Sequence, residues 1–92
     1  MNDAQLTQLQ EEQRKGGQAQ HAYDTFIKDF CEHKRMTLFE AFSAIPISNE
    51  ADLMEVKRML YAIDTLETEI NTIIETGRLA SESLNDYEEV IH

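Results

Sequence analysis

The amino-acid sequence predicts an all-α protein, a helical hairpin or small bundle dominated by one long C-terminal helix of coiled-coil type. Apolar residues recur at spacings of three and four, and no long stretch alternates with the period of two that strands require. Helix breakers are rare, since the 92 residues include three glycines and one proline. A chain of this length forms at most one domain. Pro46 divides it nearly in half, which places the turn of a hairpin there.

The first candidate helix spans residues 3–15. Asn2 or Asp3 can cap its start. Leu6 and Leu9 are its only large apolar residues, so it offers little surface for packing. We expect this segment to be weakly held.

Gly16 and Gly17 follow, and each glycine costs roughly 1 kcal/mol in a helix interior. A break or bend is therefore expected at this pair. We predict that residues 1–17 form an arm that is flexible or ordered by a partner. Residues 18–92 are predicted to form a single helical domain.

The second candidate helix spans residues 18–35 and has a clear apolar stripe at spacings of three and one. The stripe consists of Ala19, Ala22, Tyr23, Phe26, Ile27, Phe30 and Cys31. Because the Pro46 turn is short, this helix is expected to run antiparallel to the long C-terminal helix. We predict that its aromatic face packs in the core, with Tyr23, Phe26 and Phe30 against Leu53, Met59, Leu60 and Ile63.

A short third helix is predicted over residues 38–44. Thr37 and Glu40 have the spacing of a capping box, and Pro46 closes the segment. Fusion of this helix with residues 18–35 remains open, because neither glycine nor proline separates them.

The long helix is predicted over residues 49–89, with Ser48 or Asn49 as its cap. Its apolar residues step by three and four in strict alternation for about five heptads, as in a coiled-coil seam. The register continues past Gly77, so we expect the helix to run through that glycine. A helix end at Gly77 remains the alternative, because glycine is the commonest residue just past a helix end. The seam is the candidate interface and consists of Val56, Met59, Ile63, Leu66, Ile70, Ile73, Gly77, Ala80, Leu84, Tyr87 and Ile91.

The end of the seam past Gly77 is predicted to contact another chain. Residues 18–45 can form a helix of about 40 Å, which is shorter than the long helix. The end of the seam would then extend beyond it, and residues 3–15 offer too few apolar side chains to cover it. This end consists of Ala80, Leu84, Tyr87 and Ile91.

The net charge of −10 limits the class of partner. Residues 48–92 carry eleven acids and three bases, which disfavours direct binding to a nucleic-acid backbone or to an anionic membrane. No apolar run approaches the roughly 18 residues of a membrane span, and the N-terminus lacks the apolar core of a secretory signal. Cys31 is the single cysteine. We expect a cytoplasmic protein, or one built into an assembly made there, that binds a protein partner or itself.

The sequence contains no recognisable catalytic motif, and we expect a non-enzymatic protein without cofactor or metal. No His-Glu-x-x-His motif and no glycine-rich phosphate loop occurs, and the single Glu-x-x-His, Glu89 to His92, lacks the second such motif that a di-iron bundle requires. The one cluster of metal-ligand types is Cys31, Glu32 and His33 with Asp29, but Cys31 belongs to the apolar stripe and no second pair completes four ligands.

The stretch LETEINTIIETGRLA, residues 66–80, resembles segments of small acidic helical accessory proteins of tailed bacteriophages. The resemblance covers about a sixth of the chain and contains no diagnostic motif. It implies a structural or assembly role in a virion.

These observations predict a structural or assembly protein that self-associates or docks on a larger complex through amphipathic helices. The alternative is a small acidic inhibitor that mimics nucleic acid and binds a basic partner. The excess of acids in residues 48–92 fits either role.

Overall fold

A computed structural model, which describes residues 1–91, shows two long antiparallel helices. The first is continuous from Asp3 to Ala44 and consists of α1 (Asp3–Ala22), a π turn (Tyr23–Ile27) and α2 (Lys28–Ala44). The second is α3 (Glu50–Ile91), with 42 residues. The molecule measures 67 × 22 × 14 Å. The predicted all-α hairpin with a long C-terminal helix is confirmed.

The start of α1 is fixed by a capping box at Asn2. The Asn2 side chain accepts a hydrogen bond from the Gln5 backbone N–H at 2.8 Å, and the Gln5 side chain accepts one from the Asn2 N–H at 3.1 Å. From there the helix continues through Gly16 and Gly17 without interruption. The expected break is absent, and residues 3–17 belong to the same helix as residues 18–22.

A close approach of the two helices explains why α1 contains a glycine at position 16. A Cβ atom built on Gly16 would lie 2.6 Å from the Cα of Gly77, and one built on Gly77 would lie 2.7 Å from the Cα of Gly16. Only residues without side chains allow two backbones to pack so closely. Gly17 differs, because a Cβ there would meet nothing within 4 Å.

The π turn determines which face of the N-terminal helix packs against α3. Its wider turn is closed by the bond from the Lys28 N–H to the Tyr23 carbonyl, five residues back. In a regular α-helix each step of four residues rotates the side chain by about 40°. The π turn offsets that rotation, so Tyr23, Ile27 and Cys31 all stay on the inner side.

The same turn moves Phe26 and Phe30 away from α3. Their side chains are 62% and 53% exposed, so the predicted packing of Phe26 and Phe30 in the core is wrong. Tyr23 is half-buried. The predicted antiparallel direction of the two helices is correct.

The helix also continues through residues 35–38, so the two predicted segments 18–35 and 38–44 are fused into one helix. The Thr37 hydroxyl donates to the His33 carbonyl at 3.1 Å, four residues back. Thr37 therefore lies in the interior of α2, and the predicted capping box with Glu40 does not form.

The turn between the helices has the two boundaries that the sequence predicts, at Pro46 and at Asn49. The backbone leaves the helical region at Ile45, directly before Pro46. Asn49 caps α3, because its side chain accepts from the Asp52 N–H at 3.3 Å and donates to the Asp52 carboxylate at 2.8 Å. The long helix then runs through Gly77 to Ile91, which confirms that Gly77 does not end it.

The interface between the helices is narrow. The buried apolar side chains are Cys31, Leu38, Val56, Ala80 and Leu84. They are spread along the hairpin rather than gathered in one core. Most other apolar side chains are half-buried or exposed, which makes the outer surface the natural place to look for a functional site.

Candidate functional site

The seam predicted on α3 divides between the inside and the outside of the hairpin. Val56, Gly77, Ala80 and Leu84 are buried against the N-terminal helix, and Ile63, Ile70 and Tyr87 are half-buried. Met59, Leu66 and Ile73 are 43–45% exposed. The side chain of Ile91 lies outside the described part of the chain. A second row of α3 residues, seven positions apart, is also half-buried against the N-terminal helix. It consists of Leu53, Leu60, Glu67 and Ile74.

The seam past Gly77 is covered within the same chain. Ala80 is 2% exposed and Leu84 8% exposed in the hairpin alone. The Gln13 amide donates to the Ser81 hydroxyl at 3.0 Å, which places α1 alongside this end of α3. The prediction that this segment needs another chain is wrong, because α1 does not break at its glycines and reaches the end of α3.

Five exposed apolar residues form what we call the apolar face. They are Phe26, Phe30, Met59, Leu66 and Ile73. Each directly precedes a residue of the inner side, namely Ile27, Cys31, Leu60, Glu67 and Ile74.

Helix geometry places these five residues on one broad side of the hairpin. Consecutive residues of an α-helix are about 100° apart, always in the same sense. Two antiparallel helices are related by a twofold axis normal to the plane that contains them. Residues that precede an inner position therefore lie on the same side of that plane in both helices.

The apolar face is also continuous along the hairpin. Gly16 packs against Gly77, and Arg35 bonds to Asp64, so the part of the N-terminal helix between Gly16 and Arg35 lies beside residues 64–77. Phe26 and Phe30 are therefore level with the segment from Leu66 to Ile73. A shallow groove of about 160 Å³ extends the face beyond Ile73, lined by Glu12, Lys15, Thr72, Ile73 and Thr76.

The opposite broad side, which we call the polar face, carries ion pairs. The Arg35 guanidinium bonds to Asp64 and to Glu67, both at 2.9 Å. Arg78 pairs with Glu75 and Glu82 further along. Met36, Phe39, Met54 and Tyr61 are exposed toward this side at the loop end, where they alternate with the charges of Lys57 and Asp64.

A polar cluster at the centre of the helix interface was not predicted from the sequence. Glu67 occupies an inner position of α3, where its carboxylate accepts from Arg35 and, at 3.4 Å, from the Tyr23 hydroxyl. Hydrogen bonds to the carboxylates of Glu67 and Asp64 raise the pKa of Arg35. The repeat of inner positions every seven residues, which includes 67, is the signal that could have identified Glu67.

Cys31 lies beside this cluster and is fully buried. Burial raises the pKa of its thiol, and the negative charge of Glu67 raises it further. A protonated, inaccessible thiol is a poor nucleophile. This arrangement assigns Cys31 to packing, in agreement with its place in the apolar stripe.

Other kinds of site find little support in the part of the chain that the structure describes. Within residues 1–91, no three His, Cys, Asp or Glu side chains are grouped closely enough to hold a metal ion. None of the described helices has the length and hydropathy needed to cross a bilayer. Comparisons of the chain with protein-family models, with curated proteins and with solved structures each find no match.

Proposed function

We propose that this chain is a non-enzymatic structural or assembly protein that associates with another protein surface through its apolar face. The observation that carries this proposal is the exposure of Phe26, Phe30, Met59, Leu66 and Ile73 on one side of a hairpin that is a single helix thick. Exposed apolar side chains gathered in one patch are typical of protein interaction sites. The extended hairpin fits this role, because it presents a long face rather than a concave pocket.

The resemblance of residues 66–80 to accessory proteins of tailed bacteriophages suggests a finer proposal, in which the complex is a phage particle. Leu66 and Ile73 of the apolar face lie within this segment. The finer proposal rests on that resemblance alone, and detection of the chain in purified particles would test it.

The association is tested by the native mass of the chain in an extract of its source. The chain is expected to elute in a complex larger than its own 10.6 kDa. Leu66→Glu places a charge in the centre of the apolar face and should return the chain to the elution position of a free hairpin. Tyr61→Glu is the matched control, because Tyr61 is 75% exposed on the polar side. Elution of the wild-type chain as a free hairpin would refute the proposed association.

A further inference from the structure

We infer that the apolar face is covered by a second copy of this chain, so that two hairpins pack face to face as an antiparallel four-helix bundle. This inference rests on the proposed function and names its partner. The apolar faces of the two copies meet, and the two loops lie at opposite ends of the bundle.

The exposed area is the first argument. The chain has an accessible surface of 6916 Å². A compact monomer of 10.6 kDa exposes roughly 5,500 Å², so this hairpin exposes about 1,400 Å² more. Obligate homodimers bury more than about 1,000 Å² per chain. The excess surface is therefore of the size that a stable dimer removes from water.

The thickness of the molecule is the second argument. At 14 Å the hairpin is one layer of helices, since a single helix with its side chains is about 10–12 Å across. Stable domains consist of at least two layers around a core. A second hairpin supplies the missing layer and converts the apolar face into the centre of a core.

The symmetry of the patch is the third argument and sets the direction of the second copy. On α3, Met59 and Ile73 lie seven residues on either side of Leu66, so this row of the apolar face is symmetric about Leu66. A twofold axis across the hairpin at Leu66 places Met59 of one copy on Ile73 of the other. It also places each Leu66 against its own counterpart. Such a self-complementary patch is what a twofold dimer requires.

Charge favours the same direction. The loop end, residues 33–61, carries four acids and four bases. The terminal end, residues 1–15 and 78–91, carries seven acids and three bases. Two copies with their loops together would bring the two acidic ends together. The antiparallel arrangement instead places each acidic end over a neutral loop end, which lowers the repulsion.

Three acids in the middle of the hairpin lie on the side away from the contact. Asp24, Asp64 and Glu75 each directly follow a half-buried inner residue, so helix geometry places them toward the polar face. There they accept hydrogen bonds from Gln20, Arg35 and Arg78. Glu69 lies at the outer edge of the apolar face, where it remains in water at the rim of the interface.

Sedimentation equilibrium of the purified full-length chain tests the dimer. The wild-type chain and the Tyr61→Glu control are expected at twice the chain mass of 10.6 kDa, and Leu66→Glu at the single mass with its helix content unchanged. A single mass for the wild-type chain at all concentrations, or twice the mass for a folded Leu66→Glu chain, would overturn the inference. A wild-type chain that is monomeric when pure but larger in the source extract refutes the dimer and leaves the proposed function standing.

Cross-linking provides a second test that does not depend on the folding of Leu66→Glu. Leu66→Cys chains, oxidised with glutathione disulfide, are expected to form a covalent dimer across the twofold axis. Tyr61→Cys chains are expected to remain single, and so is the wild-type chain, because Cys31 is buried. A mixture of Met59→Cys and Ile73→Cys chains should cross-link with each other, which specifies the antiparallel direction. Equal cross-linking at Tyr61→Cys and Leu66→Cys, or none at Leu66→Cys, would contradict the arrangement.

Discussion

Gly16→Ala and Gly17→Ala test whether the close approach of the two helices is real. Both substitutions gain the same helix propensity, about 1 kcal/mol for alanine over glycine in a helix interior. Only Gly16→Ala meets the other helix, because its Cβ would lie 2.6 Å from the Cα of Gly77 whereas the Cβ at Gly17 meets nothing within 4 Å. Ordinary contact between carbon atoms requires about 3.5–4.0 Å, so the backbones must separate by about 1 Å.

The difference between the two variants isolates the cost of that separation. Overpacking costs about 1–3 kcal/mol. Both variants gain the same helix propensity, so this gain cancels in the difference between them. Gly16→Ala should therefore be less stable than Gly17→Ala by the overpacking cost of about 1–3 kcal/mol. One kcal/mol corresponds to about 4–8 °C in melting temperature for a domain of 60–100 residues. Circular dichroism melts at one protein concentration should therefore separate the two variants by at least about 4 °C, with Gly17→Ala above the wild type.

The double variant Gly16→Ala/Gly77→Ala completes the test. Once one Cβ has separated the helices, the second should add less than its own single cost, so the two effects should not be additive. Equal melting temperatures for Gly16→Ala and Gly17→Ala would refute the Gly16–Gly77 contact and with it the register of the hairpin.

Three further expectations follow from burial and charge. Leu84→Ala should cost about 2–5 kcal/mol, since Leu84 is buried, whereas Leu79→Ala at a half-exposed position should cost less than about 1 kcal/mol in a urea titration; equal costs would mean that this end of α3 is not packed. Glu67→Ala should cost about 1–3 kcal/mol because it leaves Arg35 and Tyr23 without their acceptor, but Asp64→Ala, on the exposed side of the same cation, should stay within about 0.5 kcal/mol. Because folding raises the pKa of the Cys31 thiol, the free energy of unfolding should fall as pH rises above about 8.5, the ordinary cysteine pKa; Cys31→Ala should lack that fall, and a native thiol that reacts as fast as an unfolded one would contradict its burial.

The sequence was sufficient to predict the parts of the fold that depend on local chemistry. The end of the first helix follows from Pro46, the start of α3 from the Asn49 cap, and the length of α3 from a period that continues past Gly77. These features are encoded within a few residues of where they act. The antiparallel direction then follows from the short turn.

Features that depend on pairing between distant residues were not predicted. Gly16 and Gly17 look like a helix break until Gly77 is known to lie opposite Gly16. The π turn has no signal in Tyr23–Ile27 that distinguishes it from a regular helix turn. Both errors have the same physical origin, since the contact with α3 stabilises a local conformation that the local sequence does not favour.

The sequence predicts the candidate site only in part. The apolar stripe contains pairs of adjacent residues, and the pattern does not specify which member of each pair faces the other helix. The stripe predicts Phe26 and Phe30 in the core, but both are exposed because the π turn places Ile27 and Cys31 inside instead. Three residues of the predicted seam, Met59, Leu66 and Ile73, are exposed and lie on the apolar face.

The most direct measurement of whether the single hairpin is an incomplete fold is the dependence of its unfolding midpoint on protein concentration. If the native state is a dimer joined through the apolar face, a hundredfold rise in concentration stabilises it by about 2.7 kcal/mol of dimer. The melting temperature of the purified wild-type and Tyr61→Glu chains should then rise with concentration, and that of Leu66→Glu should stay constant. A wild-type melting temperature that is independent of concentration over this range would contradict the claim that a second copy covers the apolar face.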